Sequence, residues 1–248
     1  LVGSEMCIRD SYETNISDFQ LVSYILGRCA TVDEVKAEIA RVHIHGFDPR
    51  SSTVHWRFAE PSGRQIVLEI IDGKCIFYEN NLGVLTNSPS FDWQLTNLNN
   101  YVNLLPGRTE PHTLGNMSLS SFGGGSAMIG LPGDFTPPSR FVRAAFFQNT
   151  APQKPDAEGS VFTAFHILGS MEIPIGAQFP VDETPADIPS ATQCTCVTDM
   201  SGLKFYYRSM YDGGIRCIDL KEIDFKKIGL KSEPLVPSKK EFVHHIRF

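Results

Sequence analysis

The sequence predicts an α+β fold in which helices cover antiparallel sheets, and two observations carry that reading. Segments with helical and strand periodicity follow one another as helix, helix, strands, helix, helix, strands. One strand, 65–71, is apolar at nearly every position and needs cover on both faces, as in helices packed over stacked sheets.

The first helix is predicted over 17–29, where Leu21, Val22, Ile25, Leu26 and Cys29 recur at helical spacing behind Ser17 or Asp18 as cap. Thr31 and Glu34 form a capping-box pattern. They open a second helix carrying Val32, Val35, Ile39 and Val42 on one face. His43 and His45 fall at its end and in the loop that follows. Strands come next. Val54, Trp56 and Phe58 alternate with His55 and Arg57, as in a half-buried strand. Turns at Pro61-Ser62-Gly63, Asp72-Gly73 and Asn81-Leu82-Gly83 separate this strand from 65–71, 75–78 and 84–87, the last ending in Asn87. Tight turns between successive strands make an antiparallel meander.

Residues 100–138 are turn-rich, with Gly123-Gly124-Gly125 and Pro132-Gly133. A loop of that length in a compact domain serves function or assembly. A helix over 139–148 follows, capped by Ser139. Another over 158–168 carries Val161, Phe162, Phe165 and Leu168, stops at Gly169, and turns His166 toward the core. The Pro-rich stretch 170–191 reads as an exposed loop. Strands at 193–199, 203–209 and 214–220 complete the fold, and a charged tail begins at 221.

Composition narrows the function classes. The 248 residues suit one large or two small domains. The net charge of -6, with no lysine or arginine run, argues against a nucleic-acid or anionic-membrane partner. No stretch approaches the ~20 apolar residues of a membrane span. Of the cysteines Cys7, Cys29, Cys75, Cys194, Cys196 and Cys217, none forms a Cys-x-x-Cys pair. Cys194 and Cys196 share one strand face and are expected as half-buried apolar thiols rather than zinc ligands. His43 and His45 have no carboxylates nearby, so no metal site is expected. The glycine run lacks the Gly-Lys-Ser/Thr of a phosphate loop, no Gly-x-Ser-x-Gly elbow occurs, and no cofactor is expected.

Two residues stand out. Asn87 precedes Ser88-Pro89. It reads either as a turn-starting asparagine or as an amide donor aimed at a developing oxyanion. Arg140 lies in the first turn of a helix, where a cation opposes the helix dipole at about 0.3–1 kcal/mol. It is either a solvated surface arginine or a guanidinium held near a nucleophile and an anionic intermediate.

The stretches around these two residues resemble the choloylglycine hydrolase family, which includes bile salt hydrolases and penicillin V acylases. Residues 80–101 (NNLGVLTNSPSFDWQLTNLNNY) and 130–143 (GLPGDFTPPSRFVR) carry most of the resemblance, with Phe165-His166-Ile167-Leu168 and Tyr206-Tyr207-Arg208 behind them. It runs from Thr14 to Leu220. It implies a four-layer αββα N-terminal-nucleophile hydrolase. There a cysteine at the mature N-terminus attacks a linear amide and its own α-amine moves the proton. By position, Asn87 matches the oxyanion-hole asparagine and Arg140 the late arginine beside the nucleophile. The implied substrates are small-molecule amides: conjugated bile salts, penicillin V or N-acyl homoserine lactones. The short loop 46–52 and the segment 171–193 lean away from a bile salt specialist, and the latter looks more like exported acylase-type members, which favours a periplasmic or exported location over a cytoplasmic one. A family extension like 100–125 implies a homotetramer for the full-length parent.

The start departs from the family. Residues 1–13 read as a non-native or out-of-family leader, and 14–248 as the later part of the domain, with the first strands missing. Residues 4–11 (SEMCIRDS) look like translated sequencing-adapter read-through. Met6-Cys7 is rejected as the nucleophilic start, because Arg9 and Asp10 lie too close to Cys7 to orient it and helix follows where the family has strands. The 248 residues alone are therefore expected to be inactive. The alternative is a non-catalytic pseudoenzyme or small-molecule binding module.

Overall fold

A computed structural model describes residues 15–46, 54–180, 182–183, 191–235, 240, 242–243 and 246. The proposed leader 1–13, Cys7 and most of the loop 46–52 lie outside these. The chain divides into two compact units, 1–149 and 150–248.

The first unit opens with β1 (Asn15–Ser17), α1 (Asp18–Leu26), α2 (Val32–Ile39) and β2 (His43–His45). Both helices begin in capping boxes: Ser17 with Gln20, and Thr31 with Glu34. The first helix ends at Leu26, earlier than expected, because Gly27 closes it. His43 and His45 lie not at a helix end but on β2, which pairs in parallel with β1. The reason is Ile44, which is buried between them and sets a period of two. That pairing also departs from the all-antiparallel expectation.

Three antiparallel strands follow in the order β3 (Trp56–Ala59), β4 (Gln65–Ile71) and β5 (Lys74–Glu79). The central strand is covered on both faces, as its composition requires. Ile66 and Leu68 pack with Leu21, Ile25, Val32, Val35 and Ile39 of the two helices. Val67, on the other face, packs with Val84, Phe91, Phe141 and Ala145. The expected fourth strand at 84–87 is not a strand. Asn80 is buried, and its amide accepts from Gly83 N (2.9 Å) and donates to the Val84 carbonyl (3.1 Å). A side chain thus takes the place of a ladder, and Val84 turns into the core.

A short helix that periodicity did not reveal, α3 (Phe91–Asn97), comes next. The turn-rich stretch holds only a small hairpin, β6 (His112–Leu114) with β7 (Met117–Leu119), and a 3-10 turn at Ser126–Met128. Then α4 runs from Pro137 to Thr150. Ser139 is not its cap; it is buried inside the first turn. Pro137 and Pro138 start the helix earlier, where a missing N–H costs nothing. The Thr136 carbonyl accepts the Arg140 N–H at 3.0 Å.

The second unit holds α5 (Ala157–Gly169), capped by Asp156, and an antiparallel sheet of β8 (Cys194–Asp199), β9 (Lys204–Ser209) and β10 (Asp212–Asp219) with β9 in the centre. Val161 and Phe165 are the buried face of α5. His166, one residue on, is exposed rather than in the core. Gly169 is not a left-handed stop. An added Cβ there would lie 3.1 Å from the Arg208 guanidinium, so the residue makes room for a side chain. Cys194 and Cys196 do share a face, with sulfurs 3.4 Å apart. Cys196 is exposed, however, as are Cys75 and Cys217. Cys196 sits on an edge strand, on the face opposite Thr195 and Arg208, which turn toward Glu172 and α5.

Candidate active site

Asn87 and Arg140 lie 53 residues apart in sequence, and the first unit brings them together. Arg140 Nη2 donates to Asn87 Oδ1 at 2.9 Å. The same guanidinium donates from Nε to the Phe135 carbonyl at 3.0 Å. Two bonds from one rigid fork fix its plane. Arg140 is half-buried. Burial, and then the charge of Arg143, push its pKa below the usual arginine value, yet an arginine stays cationic in proteins. Among the described residues it has no carboxylate partner.

Accepting from Arg140 settles which end of the Asn87 amide is oxygen. The Nδ2 hydrogens then point away from Arg140, and they have no partner among the described residues. Asn87 is exposed at this end. Its backbone is held from below: the buried Gln94 donates from Nε2 to the Asn87 carbonyl at 3.3 Å. Thr86 Oγ1 donates to the Pro137 carbonyl at 3.1 Å, which ties this loop to the start of α4. The Ser88-Pro89 peptide is cis.

The loop before α4 has its own supports. Arg143 Nη1 donates to the carbonyls of Pro132 (2.7 Å) and Asp134 (2.6 Å), and its guanidinium lies over the Phe135 ring. The Asp134 carboxylate accepts from Ser139 Oγ (2.6 Å), Thr136 Oγ1 (2.5 Å) and Thr136 N (2.9 Å). Those bonds hold its pKa down to about 2. Neither Asp134 nor Arg143 was singled out from sequence. A fully buried arginine leaves no local mark.

Elsewhere, a cavity of about 250 Å³ in the second unit is lined by Glu172, Cys194, Thr195 and Arg208 and contains neither Asn87 nor Arg140. Among the described residues no three His, Cys, Asp or Glu side chains are grouped to hold a metal ion. No described helix is long and apolar enough to cross a membrane.

Comparison with known proteins gives this geometry a setting. The bile salt hydrolase/transferase of Clostridium perfringens is 35% identical over 215 residues, which is 85% of this chain and 64% of that protein. The bile salt hydrolase/transferase of Lactiplantibacillus plantarum is 34% identical over 230 residues, 91% of this chain and 69% of that one. The chain thus spans a little under two thirds of the Clostridium protein's length. A crystal structure of a mutant conjugated bile acid hydrolase from Clostridium perfringens superposes with a TM-score of 0.80 and 31% identity, covering 94% of this chain and 70% of that one. The fold is therefore the α+β fold of the N-terminal-nucleophile hydrolases. Residues 6–233 match the family of linear amide C-N hydrolases described as the choloylglycine hydrolase family, and the chain belongs to that family.

Proposed function

We propose that this chain contributes the charge-stabilising half of a linear-amide hydrolase, with Asn87 as oxyanion donor and Arg140 as the group that aims it. One observation carries the reading. Arg140 donates to Asn87 Oδ1 at 2.9 Å, so the Nδ2 hydrogens face away from the guanidinium and stand free for a ligand. A donor fixed before the reaction costs no reorganisation when charge develops. The guanidinium beside it adds positive potential at the same place.

The reaction that needs such a donor is acyl transfer. An N-terminal cysteine thiolate attacks the amide carbon, and its α-amine takes up the thiol proton. The carbonyl oxygen becomes an oxyanion and accepts hydrogen bonds from Asn87 Nδ2. The C–N bond then breaks, the amine leaves with the proton, and water hydrolyses the thioester. Residues 14–248 form the domain that holds these groups. The substrate class is an amide of a bile salt, the compound in the names of both relatives above. Penicillin V and N-acyl homoserine lactones are the comparison substrates. The stretch 100–125 carries the assembly surface of a homotetramer. Val102, Leu105, Leu114, Met117 and Phe122 all expose large apolar side chains there, more than a solvated loop needs.

The test uses an amide-hydrolysing protein that contains this chain behind an N-terminal cysteine. Asn87→Ala should lower kcat by about 10²–10³-fold while KM moves far less. An unchanged kcat would remove the role from Asn87. The substrate with the highest kcat/KM in the panel decides the class.

A further inference from the structure

In the sequence, β4 is apolar from Ile66 to Ile71 apart from Glu69. Its carboxylate lies on the Val67 face, and its side chain is 3% exposed. Burying a carboxylate costs several kcal/mol unless its oxygens are bonded. One bond is plain: Oε1 accepts the Phe91 N–H at 2.7 Å. Phe91 is the first residue of α3, and the preceding Ser90 makes no side-chain cap. A strand residue therefore satisfies a donor that a helix start would otherwise leave unpaired.

The other side of the carboxylate is closed by His55. Its Nδ1 lies 2.8 Å from the same Oε1, and its side chain is 8% exposed. The contact is close but poorly aligned, because Nδ1 and Glu69 Oε2 both lack a hydrogen bond among the described residues. Burial lowers the His55 pKa. Burial also raises that of Glu69, with the Phe91 bond opposing and Asp92 adding to the rise.

Gln94 is the second support. It is 2% exposed. Its Nε2 reaches the Asn87 carbonyl at 3.3 Å, and its own N–H closes the first turn of α3 on the Ser90 carbonyl at 3.0 Å. The loop 87–91 is thus gripped at both ends by buried polar side chains, one from β4 and one from α3. Neither side chain reaches the exposed amide of Asn87 itself.

We infer that Glu69 and Gln94 are positioning residues that clamp the loop 87–91 and so set the direction of the Asn87 amide. The catalytic meaning of this clamp rests on the proposed role of Asn87; the clamp itself does not. Arg140 fixes the amide from outside, and the two buried groups fix the backbone from within. Loosening either end lets Asn87 rotate away from Arg140.

The experiment is nuclear magnetic resonance on the 248-residue chain, with Glu69→Gln and Gln94→Met as variants that keep volume. In Glu69→Gln a charge-assisted bond becomes neutral, and Phe91 amide exchange should accelerate about 5–10-fold. In both variants Asn87 Oδ1 should leave Arg140, so the Arg140 Nη2 hydrogens should exchange faster and the Asn87 side-chain amide shifts should change, while the Arg140 Nε–H, bonded to the Phe135 carbonyl, should stay in place. The amides of Val67 and Leu68 should keep their exchange rates, which separates the clamp from general loosening. Should Glu69→Gln not fold, Gln94→Met alone decides. Asn87 signals left in place in any folded variant would overturn the inference. This outcome is distinct from an unchanged kcat in Asn87→Ala, which would sink the catalytic reading and leave the clamp standing.

Discussion

The two main sheets solve the same problem differently. In the first unit the central strand β4 has Ile66, Val67 and Leu68 at 0% exposure, because α1 and α2 cover one face while Phe91 and α4 cover the other. In the second unit the central strand β9 is half-buried at nearly every position, and α5 covers only the face of Thr195 and Arg208. Their polar groups differ accordingly. Glu69 sits buried in β4 and needs specific partners. Arg208 of β9 pairs with Glu172 at 2.8 Å with both side chains part exposed. A pair of that kind contributes about 0–1 kcal/mol, whereas leaving a buried charge without its partner costs about 3–5 kcal/mol. Deep burial makes a polar residue structurally decisive, and part exposure makes it replaceable.

The strongest attack on this contrast is on the packing itself. Phe141→Ala removes a fully buried ring between α4 and Val67, and should cost about 3–5 kcal/mol in urea denaturation. Tyr207→Ala removes a part-buried ring that stacks on Phe205 at 6.1 Å, and should cost less than half as much. Equal losses would break the comparison.

A gentler probe acts on the cover of the first sheet. Asp134 holds the start of α4, with its pKa depressed to about 2 by the Ser139 and Thr136 hydrogen bonds. A depressed carboxylate stabilises the fold above its unfolded pKa of about 3.9. That contribution fades as pH falls through about 2. The protection factor of the Thr136 amide, which removes the pH dependence of intrinsic exchange, should therefore fall over this window, and Asp134→Asn should abolish the dependence. The smallest effect belongs to the cover of the second sheet. Gly169→Ala places a Cβ 3.1 Å from Arg208 Nη2, the far end of a long side chain that pairs with Glu172, against a helix-propensity gain of at most about 1 kcal/mol. The thermal midpoint should move by no more than a few degrees.

Much of the scaffold is legible in the sequence where the signal is local. The cap at Ser17 or Asp18, the capping box at Thr31, the alternation at Trp56 and Phe58, and the unbroken apolar run 66–68 all describe residues within one turn or one strand of each other. The misplacements share a cause. Ser139 looks like a cap until Pro137 and Pro138 are allowed inside the helix. His166 looks inward until Val161 and Phe165 define the buried face of α5. The residues 84–87 look like a strand until Asn80 takes the Val84 carbonyl.

For the site, the sequence by itself determined the family resemblance and which two residues to suspect, since ordered blocks around Asn87 and Arg140 carry that information. Only the tertiary structure decided that Arg140 takes Asn87 Oδ1 across 53 residues and that Glu69 takes the Phe91 N–H across 22. The physical reason is range. Caps, turns and periodicity act over a few residues. A hydrogen bond between distant segments forms only where the packing of β4, α3 and α4 brings donor and acceptor together.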